Sequence, residues 1–269
     1  MKYIFDHDLH IHTHRSLCSE CPEQTTERIL RYAKEEGLHT VCVTDHYWDR
    51  AVCRAPDWYY EQDFAHIAQN LPLPQADGVN FLFGCETEMD VNGVLGIPMS
   101  RFSDFDFVIV PTTHLHMSTF IVPLEEYERP TPLGRAKLWE KRLAWLLEKD
   151  LPFAKTGIAH LACTTLNTRS RAEYLATLQA IDERKAEELF AKASKLGVGI
   201  ELNFSDMSFT EEEEEIVLKI FRIAKYQGCK FYCGSDAHNP KPFAMVRQVF
   251  ERAIDRLGLQ ESDKFTIGR

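Results

Sequence analysis

No run of the 269-residue chain approaches the roughly 18 consecutive apolar residues of a membrane span. The longest, such as FDFVIV at 105–110, have the length of a strand. The opening MKYIFDHDLH meets charge before reaching the apolar length of a secretion signal, so none is expected. Basic residues are scarce: 31 Lys and Arg stand against 41 Asp and Glu, a formal net charge of −10. That sign is the opposite of what phosphate-backbone binding needs, so long nucleic acid is not an expected partner. P-loop, GxGxxG, GxSxG and HExxH patterns are all missing, which removes the common NTPase, dinucleotide, serine-hydrolase and zincin sites. No Pro-, Ser- or Gly-rich linker divides the chain, and one domain over 1–269 is expected.

Eight cysteines are present but scattered, in a chain long enough to build its own core. Reduced thiols in a cytoplasm are therefore expected. Cys42, Cys85, Cys229 and Cys233 lie in apolar runs and read as small buried hydrophobes. Cys18 and Cys21 form a CxxC, but no second pair follows at zinc-ribbon spacing, so no structural zinc knuckle is expected.

What the chain does have is repetition. Short apolar or β-branched runs occur at 3–11, 39–45, 80–86, 106–112, 153–160, 197–202 and 229–236, separated by helical patterns. The stretch 25–37 opens on a threonine cap and ends at Gly37, and 183–197 ends at Gly197. Leu138, Leu143, Leu146 and Leu147 share one helix face. The acidic run Glu211 to Glu215 reads as a first helical turn after Thr210, with Ile216, Ile220 and Ile223 as the apolar face that follows. The segment 115–135, with prolines at 123, 130 and 132, reads as a long loop. Seven strands alternating with helices imply parallel pairing, an α/β fold, and a closed TIM-like barrel.

The informative fact is where polar residues fall on those runs. His10 and His12 are spaced by two, which points both rings to one side of a strand. The later runs end in Thr44-Asp45-His46, Glu86, His114, His160, Glu201 with Asn203, and Asp236-Ala237-His238. In a barrel of parallel strands these carboxyl ends converge on one rim, where active sites are built. Six of the eleven histidines fall there, with two or three carboxylates. That is more than one zinc needs, and a cluster of two or three metals with a bridging carboxylate is expected. His7, His39 and His66 read as structural.

The motifs DLHIHT (8–13), VTDH (43–46), GCE (84–86), TTH (112–114), IAH (158–160) and GSDAH (234–238) resemble, in order and spacing, those of the PHP (polymerase and histidinol phosphatase) family, and most closely its stand-alone, histidinol-phosphatase-like members. The resemblance implies a distorted (β/α)7 barrel and a two- or three-metal phosphoesterase site. It places His10, His12, Glu86 and Asp236 on one metal, Glu86 bridging to a second held by His114 and His160, and His46 with His238 on a third. The family often has His or Asp six residues after the HxH pair. Here that position is Cys18, so Cys18 or the nearer His14 could complete the third site, or the site could stay empty.

The reaction expected from this set is hydrolysis of a small phosphate monoester by a hydroxide held between divalent zinc, manganese or iron ions. Asp236 or His238 would shuttle protons. Arg169 and Arg171, with Arg15 next, are the cations expected beside the phosphate. Specificity would reside in the loops 47–64 and 115–135, where Tyr47, Trp48, Trp58, Tyr59 and Tyr60 read as packing against the barrel rather than stacking on a substrate. Glu201 and His116 have no assigned role. Two other readings fit the same residues: a phosphodiesterase or nucleotide phosphatase, and a metal-sensing protein without turnover.

Overall fold

The computed structural model describes residues 1–128, 130–163 and 166–268. Each apolar run contains a strand: β1 (His7–Ile11), β2 (Thr40–Val43), β4 (Asn80–Thr87), β5 (Phe107–Pro111), β6 (Thr156–Ala159), β7 (Gly199–Asn203) and β8 (Lys230–Gly234). A two-residue strand, β3 (His46–Tyr47), adds to β4. The seven main strands pair in the order β1-β2-β4-β5-β6-β7-β8, all parallel. The ring closes where β8 meets β1. There Asp236 N donates to His10 O at 2.7 Å and His12 N donates to Ala237 O at 3.2 Å. The result is a nearly closed, distorted TIM-like barrel, as expected.

One distortion matters for the site. The β1–β2 register slips between Asp8 and Ile11, as a bulge does when it inserts an unpaired residue. Asp8 turns outward, where Tyr32 Oη donates to its Oδ2 at 3.0 Å, and Tyr32 belongs to the outer helix α1 (Thr26–Glu35). Leu9 turns inward to join Cys42, Phe107, Ile109, Ala159, Tyr232 and Phe265 in a separate apolar cluster. This cluster plugs the lower barrel. Gly157 makes room for it, since a Cβ there would come within 2.5 Å of Tyr232 Oη and 2.6 Å of Phe107 Cζ. Polar side chains are left to the carboxyl-end rim above the plug.

The outer layer follows the helical patterns. Thr25 caps α1 by accepting from Arg28 N at 3.3 Å, and Gly37 takes a left-handed φ of 63° just beyond it. The helices α5 (Pro132–Leu147) and α7 (Glu183–Leu196) bury their leucine faces. Two expectations need correction. The segment 115–135 is not all loop, because a short helix, α4 (Leu124–Glu128), lies within it and Pro132 opens α5 behind the cap Thr131; residue 129 lies outside the described residues. The acidic run does not all enter a helix. α8 (Glu214–Tyr226) starts at Glu214, with Glu213 as its cap residue and the Glu213 carboxylate paired with Arg171. No helix among the described residues is long and apolar enough to cross a membrane.

Candidate metal centre

The structure brings all eight expected ligands together at the carboxyl-end rim. His10 and His12 lie on and just beyond β1, Glu86 on β4, and His114, His160 and Asp236 in the first residues after β5, β6 and β8. His160 and Asp236 both have positive φ, 39° and 52°. For a residue with a Cβ this costs about 1–3 kcal/mol and persists only where the surroundings impose it. Here the imposing bonds are His160 N to Glu201 Oε2 at 2.8 Å and Asp236 N to His10 O at 2.7 Å.

The spacing of the donor atoms is that of ligands around a shared cation. His10 Nε2 and His12 Nε2 are 3.1 Å apart. Glu86 Oε2 lies 3.6 and 3.3 Å from them, and Asp236 Oδ1 3.5 and 3.2 Å. Ligands held tetrahedrally at 2.0–2.1 Å from one ion are separated by about 3.3–3.5 Å. The other oxygen of Glu86 faces away, with Oε1 at 3.2 Å from His160 Nε2 and 3.9 Å from His114 Nε2. Asp236 divides its oxygens in the same way, Oδ2 lying 3.6 Å from His160 Nε2. His12, His46 and His238 form a further group of converging donors. Both Glu86 oxygens and Nδ1 of His46 and His160 are buried without a hydrogen-bond partner. Such atoms are rare in folded proteins and call for an unseen partner. A cluster of divalent ions fits this donor set.

The imidazoles are held in the tautomer a metal requires. His10 Nδ1 donates to Glu201 Oε1 at 2.7 Å, and His114 Nδ1 to Glu88 Oε2 at 2.7 Å. Carboxylates only accept, so each Nε2 keeps its lone pair for the cluster. For His12 the sequence of donors is longer. Ser16 Oγ donates to Asp45 Oδ1 at 2.7 Å and therefore accepts from His12 Nδ1 at 2.8 Å. With both Nδ1 atoms protonated, the Nε2 lone pairs of His10 and His12 face each other at 3.1 Å, a repulsive contact without a cation between them. Glu88 and Ser16 went unread in the sequence, and Asp45 reads there only as a strand-end residue, although Glu88 stands two residues after Glu86, the spacing that marked His10 and His12.

Electrostatics point the same way. Burial alone would raise Glu86 and Asp236, yet the facing imidazoles, His46 and His10 for Glu86 and His10 first for Asp236, hold both well below the usual carboxylate range. Burial would lower His10 and His160, but the carboxylates reverse it, holding His10 well above its ordinary value and His160 at about 9. Protons occupy, in the metal-free site, the places where positive charge is favoured. His238 and His114 are depressed by burial and then by a facing imidazole, His12 for His238 and His160 for His114, His238 to about 4.

Above the cluster is a cavity of about 390 Å3, lined by Cys18, Trp58, Tyr59, His116, Met117 and the ligands His46, Glu86, His114, His160, Asp236 and His238. The expected arginines do not line it. As a correction, Arg171 forks onto Glu213 with Nε and Nη2 both at 2.6 Å and covers Tyr174. Arg169 is exposed, its backbone N bound to Glu173. Arg15 has its Nε buried without a partner, and its carbonyl accepts from His66 Nε2. Cys18 faces the cavity but joins none of the donor groups among the described residues, and His14 turns to the carbonyl of Gln24. His7 is structural, accepting from Cys233 N at 3.1 Å.

No family model matches the chain, and no curated protein matches it. Solved structures do. A histidinol phosphate phosphatase from Lactococcus lactis, determined with zinc, L-histidinol and phosphate, aligns with a TM-score of 0.61 at 16% identity, over 97% of this chain and 99% of its own. A Listeria monocytogenes protein described as a histidinol phosphatase aligns with a TM-score of 0.60 at 13% identity, over 91% and 99%. At such identities the likeness is one of fold, shared nearly from end to end.

Proposed function

We propose that the chain is a metal-dependent phosphatase of the PHP family, hydrolysing a small phosphate monoester of the histidinol phosphate kind. The observation that carries this reading is Glu86: a buried carboxylate with neither oxygen hydrogen-bonded, set between two groups of imidazole nitrogens. Metal-buffering proteins have no need of an open cavity beside the ligands, whereas an ester must reach them. The solved structure determined with zinc, histidinol and phosphate supports the same class of substrate.

In this reading His10, His12, Glu86 and Asp236 hold one ion, and Glu86, His114 and His160, with Asp236, a second. His46 and His238 hold a third. Divalent ions supply Lewis acidity there, acidifying water and neutralising phosphoryl charge. The chain's own residues do the rest. Glu201, Ser16 and Glu88 orient the ligand rings, while Trp58, Tyr59 and Met117 wall the cavity and limit water. Asp236 or His238 would handle protons: His238 Nδ1 donates to Asp236 O at 2.9 Å, so its one remaining lone pair, on Nε2, would serve either the third ion or, where that position is empty, a proton. The local positive charge offsets the overall −10 where the substrate binds. Eight cysteines, none in a disulfide, suit a cytoplasmic setting.

The test is direct. Purified protein should carry at least two equivalents of zinc, manganese or iron. Turnover of histidinol phosphate, a nucleoside monophosphate or an aryl phosphate should stop on chelation and return with metal. A metal-free preparation with full activity would reject the mechanism.

A further inference from the structure

Tyr59 carries a group that packing does not account for. It lies on the single-turn helix α2 (Asp57–Tyr60), 1% exposed. Its ring is wedged between Trp58 at 4.7 Å, Phe120 at 5.3 Å and Trp48 at 5.8 Å, with His46 at 6.2 Å meeting it edge-on. The neighbouring phenols are occupied: Tyr47 Oη donates to Asp49 Oδ2 at 2.6 Å, and Tyr60 Oη to Val52 O at 3.1 Å. The Tyr59 hydroxyl makes no hydrogen bond to any described residue, while its side chain lines the cavity beside His46, Glu86 and His114. A phenol keeps its proton at neutral pH and so can donate. A donor on a cavity wall with no protein partner is available to a group that enters the cavity. Among the described lining residues there is no Lys or Arg to meet a phosphoryl oxygen. The ring is fixed on several sides, so the hydroxyl is presented to the cavity with little freedom left to lose on binding.

We propose that Tyr59 is a substrate-binding residue whose hydroxyl donates a hydrogen bond to a phosphoryl oxygen of the bound ester. The assignment rests on the phosphatase reading above. Tyr59→Phe keeps the wedged ring and deletes only the donor. In metal-loaded protein, kcat/KM for an aryl phosphate should fall by about 10- to 100-fold, the range for a hydrogen bond to a charged acceptor. The inhibition constant of inorganic phosphate should rise by a similar factor. Metal content should not change, and the melting temperature should hold or rise, because an unmet polar group has been removed. Wild-type kinetics and phosphate inhibition in the variant would overturn the proposal, as would a variant that loses metal or melts earlier. If the wild-type protein hydrolyses no phosphate ester, the phosphatase reading fails separately. Calorimetric binding of phosphate to the metal-loaded protein then decides on Tyr59 alone: at least tenfold weaker binding in the Phe variant upholds it, and equal binding overturns it.

Discussion

Arg142 fixes Glu88: its Nη2 donates to Oε1 at 2.9 Å, and both side chains are sealed from solvent. The remaining guanidinium hydrogens go to the carbonyls of Met89, Asp90, Thr112 and Ile121. Glu88 in turn holds His114 through its second oxygen, so a helix residue sets the direction of a ligand ring two contacts away.

Removing one member of a buried pair leaves the other charge uncompensated, which costs about 3–5 kcal/mol. Arg142→Met is therefore expected to lower the unfolding free energy by about that amount in urea titrations. A loss below about 1 kcal/mol would show that the pair does not hold this part of the fold. Glu88→Gln preserves shape but weakens the hold on His114, and metal affinity measured by chelator competition should fall by about 10- to 100-fold.

Gly234, the last residue of β8, lies under the other orienting carboxylate. A Cβ there would come within 2.0 Å of Glu201 Oε1 and 2.7 Å of His10 Cβ. Gly234→Ala must displace Glu201 or His10, so metal affinity should drop at least tenfold while stability falls by about 1–3 kcal/mol. Unchanged metal retention in the alanine variant would mean that Glu201 does not orient His10.

Asp206 is a buried carboxyl that no ligand ring contacts through a hydrogen bond. Its Oδ2 accepts from Ala162 N at 3.0 Å, Oδ1 has no partner, and burial pushes it up to about 8. In the unfolded chain it would lose its proton near pH 3.9. Between these values the folded state binds one more proton, so its contribution is complete below about pH 4 and is lost as pH rises through about 8. Asp206→Asn has no such loss. For metal-free protein, the stability of the variant relative to wild type should increase between pH 5 and 9 by at least about 1 kcal/mol. A difference that does not vary with pH would refute the assignment.

The seven strands and the rim ligands were legible because a strand end is marked twice, by the stop of an apolar run and by the polar residue that follows. His10 with His12, and Asp236 with His238, gain their meaning from that position. The supporting residues carry no such mark. Arg142 sits in a pattern, KRLAW, where an arginine ordinarily faces solvent, and only the fold shows it turned inward. The slip in β1 that aims Leu9 and His10 to the same side breaks the period-two rule from which facing is inferred. Arg169 precedes the helix Arg171–Ala180 and Arg171 opens it, where no periodicity of the preceding residues gives a side chain's direction, and Glu213 holds Arg171. Glu211, Glu212 and Glu213 suited a helix start by charge, but the helix proper begins at Glu214, with Glu213 as its cap.

The seam of the barrel runs through the ligand cluster. His10 and His12 belong to one lip and Asp236 to the other, separated by more than two hundred residues of chain, and β1 meets β8 through the bonds Asp236 N to His10 O and His12 N to Ala237 O, with Cys233 N to His7 Nε2 and Ser235 N to Asp8 Oδ1 further down. An ion shared by these three side chains would thus act as a clasp. It would tether two distant segments much as a cross-link does, and removing it should loosen the barrel first along that line. Amide exchange in metal-stripped protein would then accelerate at 8–12 and 233–238 before the opposite wall, β4 to β6, responds.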